Sequence, residues 1–262
     1  MSTPRHTPSP AHPSSWSGPK PPNTPSDPVS KFPARPSGSP YFGRGLVGGP
    51  GGGASVPTLL SQEHTDNTRM PEIVVPEVPP GTLLAIFSSS HPKWANNSSR
   101  PEPVGWQLEV FGGSSSTGRP GAYLHTRVAD GTEAGVLDWN STSSDRPTWA
   151  ALYALPSDWV LLATDSRTQD TAGDNLNNIG LGTAKAGDWV TATTVTMVYE
   201  EGKSWWELDA KIDEIEAYNA DSHTWFGGRI FEDEGSAVLQ MRTDYEGIRF
   251  MGMGVRFGPA PE

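Results

Sequence analysis

Six histidines, thirty acidic residues and ten tryptophans carry the side-chain chemistry of this 262-residue chain, and no cysteine accompanies them. Without a thiol there is no disulfide, thiolate nucleophile, zinc ribbon or iron–sulfur ligand set. His6, His12, His64, His91, His125 and His223 lack the i, i+2 or i, i+4 partner that would put two imidazoles on one metal, so they read as surface or half-buried side chains. No G-x-S-x-G turn presents a serine nucleophile. Glu200 and Glu201 stand beside Trp205 and Trp206, and paired carboxylates next to aromatic platforms are what glycoside cleavage requires, provided Glu207 converges with them. Glu232, Asp233 and Glu234 form a second acidic cluster, which reads first as a solvated turn. Asp165–Asn175 (DSRTQDTAGDN) offers oxygen ligands for calcium, at uneven spacing and without the closing glutamate of an EF-hand. The glycines of Gly43–Gly53 have neither a Lys-Ser/Thr ending nor a preceding strand, and they read as a spacer rather than a phosphate loop. The balance is a non-enzymatic chain with no catalytic, cofactor or metal residues.

Tryptophan is the more informative excess. Trp106, Trp149 and Trp189 lie in alternating segments and read as core. Trp94 lies in a polar loop, His91-Pro-Lys-Trp-Ala-Asn-Asn, where an indole with Asn96 and Asn97 can stack on a sugar or anchor a protein contact. Trp225, beside His223 and Phe226, is a second candidate surface contact. A net charge of −11 argues against nucleic-acid binding, because phosphate contacts need a basic surface. No run of about 18 apolar residues exists to cross a membrane, and the N-terminus lacks a secretory signal pattern.

The elements that position these residues fall into two materials. Residues 1–58 hold fourteen of the 26 prolines and nine of the 29 glycines, and carry a charge of +4, leaving −15 on the rest. Such a strip cannot bury enough apolar surface to fold alone. It reads as an extended, disordered arm whose isolated apolar residues, Trp16, Phe32, Tyr41 and Phe42 with Leu46 and Val47, are anchors for a partner. Residues 59–72 read as a polar linker with a turn of helix, and 73–262 as the folded domain.

That domain is predicted to be all-β. Ile73–Val75 suits an edge strand, and Thr82–Ser88, Trp106–Phe111, Ala122–Val128, Val136–Trp139, Thr148–Leu155, Val160–Thr164, Trp189–Tyr199, Ala237–Met241 and Ile248–Phe257 read as strands. In Trp106–Phe111, Trp, Leu and Val alternate against Gln107 and Glu109. In Ile248–Phe257 the apolar phase changes, which predicts a bulge near Gly252. Ser204–Glu207 fits either a capping box or a strand, and strand is preferred because the two halves of the domain echo each other. Pro80-Gly-Thr-Leu-Leu-Ala matches Ala186-Gly-Asp-Trp-Val-Thr, Trp106-Gln-Leu-Glu-Val matches Trp206-Glu-Leu-Asp-Ala, and Leu83–Tyr123 and Val190–Ile230 are both 40 residues apart. The expected fold is an antiparallel, jelly-roll-like β-sandwich of about eight to ten strands with an internal duplication.

The stretch from Pro80 to Ser166 resembles a β-sandwich module of bacteriophage minor tail proteins, particularly those of phages of actinobacteria. The resembling pieces are Pro-Gly-Thr-Leu-Leu-Ala (80–85), Gly-Trp-Gln-Leu (105–108), Tyr-Leu-His-Thr-Arg-Val-Ala-Asp-Gly-Thr-Glu (123–133), Trp139 and Ala-Ala-Leu-Tyr-Ala-Leu (150–155). The resemblance implies a structural protein of the virion, assembled in the host cytoplasm, with other virion proteins and further copies of itself as partners and a host-surface glycan as a possible contact. It supplies no catalytic residues. A short Pro/Gly arm in place of fibres, and an acidic second half, keep a capsid decoration protein as an alternative. A carbohydrate-binding or glycoside-cleaving sandwich is the alternative from another class.

Overall fold

The computed structural model describes residues 56–65, 70–90, 102–113, 121–140, 147–169, 177–196, 204–207, 213–219, 222–243 and 250–261, all of them within the second of two units, which divide between Arg44 and Gly45. The described part contains only β structure. Its first half runs β1 (Thr58–His64), β2 (Val74–Val75), β3 (Leu83–Ser90), β4 (Glu102–Pro103), β5 (Gln107–Gly113), β6 (Gly121–Val128), β7 (Gly135–Val136), β8 (Trp139–Asn140) and β9 (Pro147–Leu155). The second half runs β10 (Trp159–Gln169), β11 (Asn177–Ala184), β12 (Trp189–Thr196), β13 (Ser204–Glu207), β14 (Asp213–Asn219), β15 (Ser222–Ile230), β16 (Gly235–Thr243) and β17 (Phe250–Pro259). Every pairing is antiparallel.

The strands form two five-stranded sheets, ordered β1-β9-β3-β6-β5 and β10-β17-β12-β15-β14. Outside them lie a three-stranded sheet, β11-β16-β13, and two ribbons, β2-β7 and β4-β8. Counted along the second half, the large sheet is first-eighth-third-sixth-fifth and the small one second-seventh-fourth. The first half has the same order once β7 and β8 are taken as two pieces of its seventh strand. These are the neighbours of an eight-stranded jelly roll, except that the fifth strand joins the sixth instead of the fourth. The described residues therefore hold two jelly-roll-like sandwiches in tandem: the expected duplication is present as a repeat of topology, but over 17 strands and two sandwiches rather than one sandwich of about eight to ten strands.

Local geometry repeats too. Gly81 and Gly187 sit at φ +87° and +90°, where a Cβ is strained. Around each, the same turn forms: Thr82 N–H donates to Pro79 O, and Asp188 N–H to Lys185 O. Gly81 then donates to Ala129 O while Ala129 donates to Thr82 O, and in the same way Gly187 donates to Phe231 O while Phe231 donates to Asp188 O. The echo of residues 80–85 in 186–191 is thus structural. The equal 40-residue separations are not, since Leu83 pairs with Val128 and Trp189 with Ile230. Nor does Trp106, at the entry to β5, have Trp206 of β13 as its counterpart, because β14 takes the place of β5 in the second sheet.

The two large sheets pack face to face. Ala85, Phe87, Leu124, Trp149, Ala151 and Tyr153 of the first meet Trp189, Val195, Phe226, Met253, Val255 and Phe257 of the second. Phe87 lies edge-on to Tyr153 and Trp189, at 5.9 and 5.8 Å between ring centroids, and 4.9 Å from Phe226. Each such ring contributes about 1.5–3 kcal/mol by leaving water. A polar link crosses this layer, a 2.7 Å bond between the hydroxyls of Ser89 and Thr224. A second core lies between the second large sheet and the small one, around Ile179, Leu181, Val190, Trp225 and Leu239. A third lies beneath the ribbons, around Ile73, Val75, Leu84, Ile86, Trp139 and Leu152.

Three expectations are corrected. Thr58, read as the end of the arm, and residues 59–64, read as the start of a linker with a helical turn, are strand β1, hydrogen-bonded to β9 from Thr58 to His64. Tertiary pairing overrides the weak local signal of Leu-Leu-Ser-Gln-Glu-His. Val136–Trp139 is not one strand but parts of two ribbons, β7 and β8. No bulge lies at Gly252, because β17 pairs with β12 without interruption from Phe250 to Phe257. The odd residues Met251, Met253, Val255 and Phe257 are all buried in or beside the central layer. Glycines alternate with them because the opposite face is also covered: a Cβ on Gly254 would lie 2.6 Å from Ile179 Cγ2 and from Leu239 Cδ1. Ser204–Glu207 is strand, as preferred.

Candidate functional site

At one end of the central layer the two large sheets part, leaving a groove of about 600 Å³. Leu83, Trp159 and Leu161, which belong to the edge of the central core, line it with apolar surface. Gln107, Glu109, Thr126, Arg127 and Ser157 supply polar groups, and Val128 and Val160 are exposed at its mouth. Glu109 is placed by an irregularity in β5. Leu108 pairs with His125 and Val110 with Leu124, so Glu109 is an extra residue bulged out of the ladder. The bulge breaks the alternation expected for Trp106–Phe111 and sets Glu109 on the same side as Val110, which packs on the central core. Its carboxylate accepts a hydrogen bond from the Thr126 hydroxyl.

Beside the groove lies the turn Asp130-Gly-Thr-Glu133. Asp130 Oδ1 accepts from Thr132 N–H at 2.9 Å and from the Thr132 hydroxyl. Glu133 accepts from the backbone N–H of Asp130 and of Gly131, at 2.7 and 3.0 Å. Hydrogen bonds from Thr132 hold the Asp130 carboxyl below its ordinary range, and the Asp130 backbone N–H does the same for Glu133. Arg127 closes the turn with ion pairs of 3.0 Å to Glu133 and 3.2 Å to Asp130. The counterpart corner of the second half is held differently, by Asp188, which accepts from Lys185 N–H and from Arg256 at 3.1 Å.

The outer face of β6 holds an unusual group. His125 is completely buried between its cross-strand neighbours Ile86 and Leu108, and neither ring nitrogen has a hydrogen-bond partner. Burial lowers its pKa from 6.5 to about 4. The buried Ser88 hydroxyl lacks a partner as well. The expectation of surface or half-buried histidines does not hold for His125. His64 is exposed.

Of the residues singled out by sequence, Trp225 is corrected: it is 0% exposed and packed in the second core, so it is not a surface contact. Its place on β15, one register step from the buried Phe226, puts the two rings on opposite faces of a sheet covered on both sides. Trp94, Asn96, Asn97, the anchors Trp16, Phe32, Tyr41 and Phe42, and Glu200 and Glu201 lie outside the described residues. Glu207 is in β13, paired with Gln240. Glu232, Asp233 and Glu234 are exposed between β15 and β16, in keeping with a solvated turn. Asp165 is in β10, accepting from Gly180 N–H at 3.1 Å and from Arg167 at 3.0 Å, and residues 170–176 lie outside the description. Among the described residues no three His, Asp or Glu side chains gather as a metal site. Gln107, Glu109, Thr126 and Trp159 were not singled out by sequence. The trace of Gln107 and Glu109 was the polar phase of Trp106–Phe111, which reads as a solvent face until the bulge is known.

Comparison with family models, with curated proteins and with solved structures finds no match to this chain.

Proposed function

We propose that the chain is a non-enzymatic structural protein of a phage particle, a minor tail or tail-tip component. In this reading the arm ahead of β1 anchors it to neighbouring virion subunits, and the tandem jelly rolls are displayed outward. One observation supports it above others: the residues that carry the resemblance to minor tail proteins are building residues. Asp130, Thr132 and Glu133 bond to one another and to Arg127, Gly81 makes the turn that receives Ala129, and Ala150–Leu155 is the strand between β1 and β3. A motif used in this way marks a scaffold rather than a reaction. The charge division fits the same reading, since a +4 arm and a −15 remainder attract between neighbouring copies, and a repeated lattice multiplies weak arm contacts.

Because β1 begins at Thr58, the test is a deletion of residues 2–55. The truncated chain keeps its β circular dichroism and cooperative unfolding but is not incorporated when it replaces the full chain in assembling particles. Full incorporation without the arm refutes the anchor. Immunogold labelling of intact particles fixes the place: label at the tail tip supports the reading, label over the head replaces it with capsid decoration, and particles without the protein overturn both.

A further inference from the structure

The two halves share one strand order, so a place where they differ points to a demand beyond folding. The bulges of β1 at Leu60 and of β10 at Leu162 are counterparts, each in the first strand of its half. The bulge of β5 at Glu109 has none: β14, its counterpart, pairs with β15 without interruption from Asp213 to Asn219. Bulges are common beside functional sites because they re-aim side chains, and this one brings Val110 to the core position opposite Leu124 while the Glu109 carboxylate stays on the groove beside Gln107.

We propose that the groove binds a neutral, hydroxyl-rich ligand, a hexose-type glycan. Its apolar wall of Leu83, Trp159 and Leu161 suits the carbon face of a sugar ring. Gln107, Glu109, Thr126 and Ser157 supply the mixed donors and acceptors that hydroxyls need. Arg127, the one cationic side chain among the described residues of the lining, already faces the two carboxylates of Asp130 and Glu133, while Glu109 adds a negative charge. The groove therefore repels phosphate, sulfate and carboxylate groups and accepts uncharged ones. Its volume falls within the usual range for small-ligand sites, about 300–1,000 Å³. An added peptide strand is disfavoured, because both neighbouring sheet edges, β5 and β10, are interrupted by bulges.

The inference rests on the display reading only for where the glycan comes from. Binding by the purified full chain is decided apart from particle placement, so either can fail without the other. The experiment is a printed array of neutral hexose-terminated, sialylated, sulfated and amine-bearing glycans, followed by titration of the best binder into wild type, Glu109→Ala and Val160→Trp. Val160 is at the exposed mouth, so its variant blocks the groove without touching the core. The expected result is selective binding of neutral glycans, weakened about tenfold or more by Glu109→Ala, as for loss of a charged hydrogen-bond acceptor, and abolished by Val160→Trp. No neutral glycan bound, preference for anionic glycans, or binding unaffected by Val160→Trp overturns the proposal.

Discussion

His125 makes stability depend on pH in a window where few other groups titrate. In the folded chain its imidazole is fully buried, stacked on Tyr123 with ring centroids 6.3 Å apart, and has Ile86 and Leu108 as cross-strand neighbours. A proton placed there gains no hydrogen bond and loses its hydration, which is why the pKa falls from 6.5 to about 4. For a base with a depressed folded pKa, the unfolded chain takes up the proton first. Its contribution is therefore fully present above the unfolded value and is lost as pH falls from 6.5 towards about 4. Going from about pH 7.5 to about pH 5 costs about 2 kcal/mol, and the complete shift amounts to about 3 kcal/mol.

Histidine-to-leucine replacement at 125 isolates this term, since it keeps the size of the side chain and removes both unpartnered nitrogens. Denaturant unfolding of wild type and His125→Leu at both pH values gives the difference directly. The variant matches or exceeds wild type at about pH 7.5 and gains about 2 kcal/mol over it at about pH 5, the other histidines cancelling in the comparison. In parallel, the His125 ring proton followed by NMR does not titrate until below about pH 5. Equal acid destabilisation of the two proteins, or a ring that titrates near 6.5, would refute the reasoning.

Four further outcomes follow from the packing. Gly254→Ala forces a methyl against Ile179 and Leu239 and lowers stability by about 2 kcal/mol, whereas Gly180→Ala, with open space around it, changes it little; thermal melts of the two decide it. The hydroxyls of Thr191 and Thr193 are buried without partners, so Thr191→Val and Thr193→Val are neutral or stabilising by about 1 kcal/mol in urea unfolding, and a loss above about 2 kcal/mol would show that they are bonded. Asp188→Ala leaves Arg256 facing an unfilled corner and costs about 3 kcal/mol in the same assay. Residues 56–156 alone expose the face of Phe87, Trp149 and Tyr153 and self-associate in sedimentation; a stable monomer would show that the central layer is dispensable.

The strands legible in the sequence are those with their own apolar supply. β3, β6, β9 and β12 are central in their sheets, and their runs of Leu, Ile, Val and aromatics announce them. β11, Asn-Asn-Ile-Gly-Leu-Gly-Thr-Ala, and β14, Asp-Glu-Ile-Glu-Ala-Tyr-Asn, were not legible, since glycine, asparagine and glutamate carry little strand preference and their place is set by β16 and β15. The same holds for β1, whose pairing with β9 no local pattern foretells. Trp225 shows a different limit: a tryptophan between histidine and phenylalanine looks like a contact residue until a third layer covers it.

The candidate groove is illegible for a related reason, and the repeat is what exposes it. A bulge shifts register by one residue, and one residue decides which face a side chain takes. Alternation places Gln107 and Glu109 together, opposite Leu108 and Val110. The structure keeps Gln107 and Glu109 together and brings Val110 to their side, at the mouth of the apolar layer that joins the halves. Had β5 kept the uninterrupted pairing of β14, Val110 and Glu109 would face opposite ways, and either the carboxylate would lie in solvent or the valine would leave the core. One inserted residue thus meets both demands, a closed core and a polar group held over its open end.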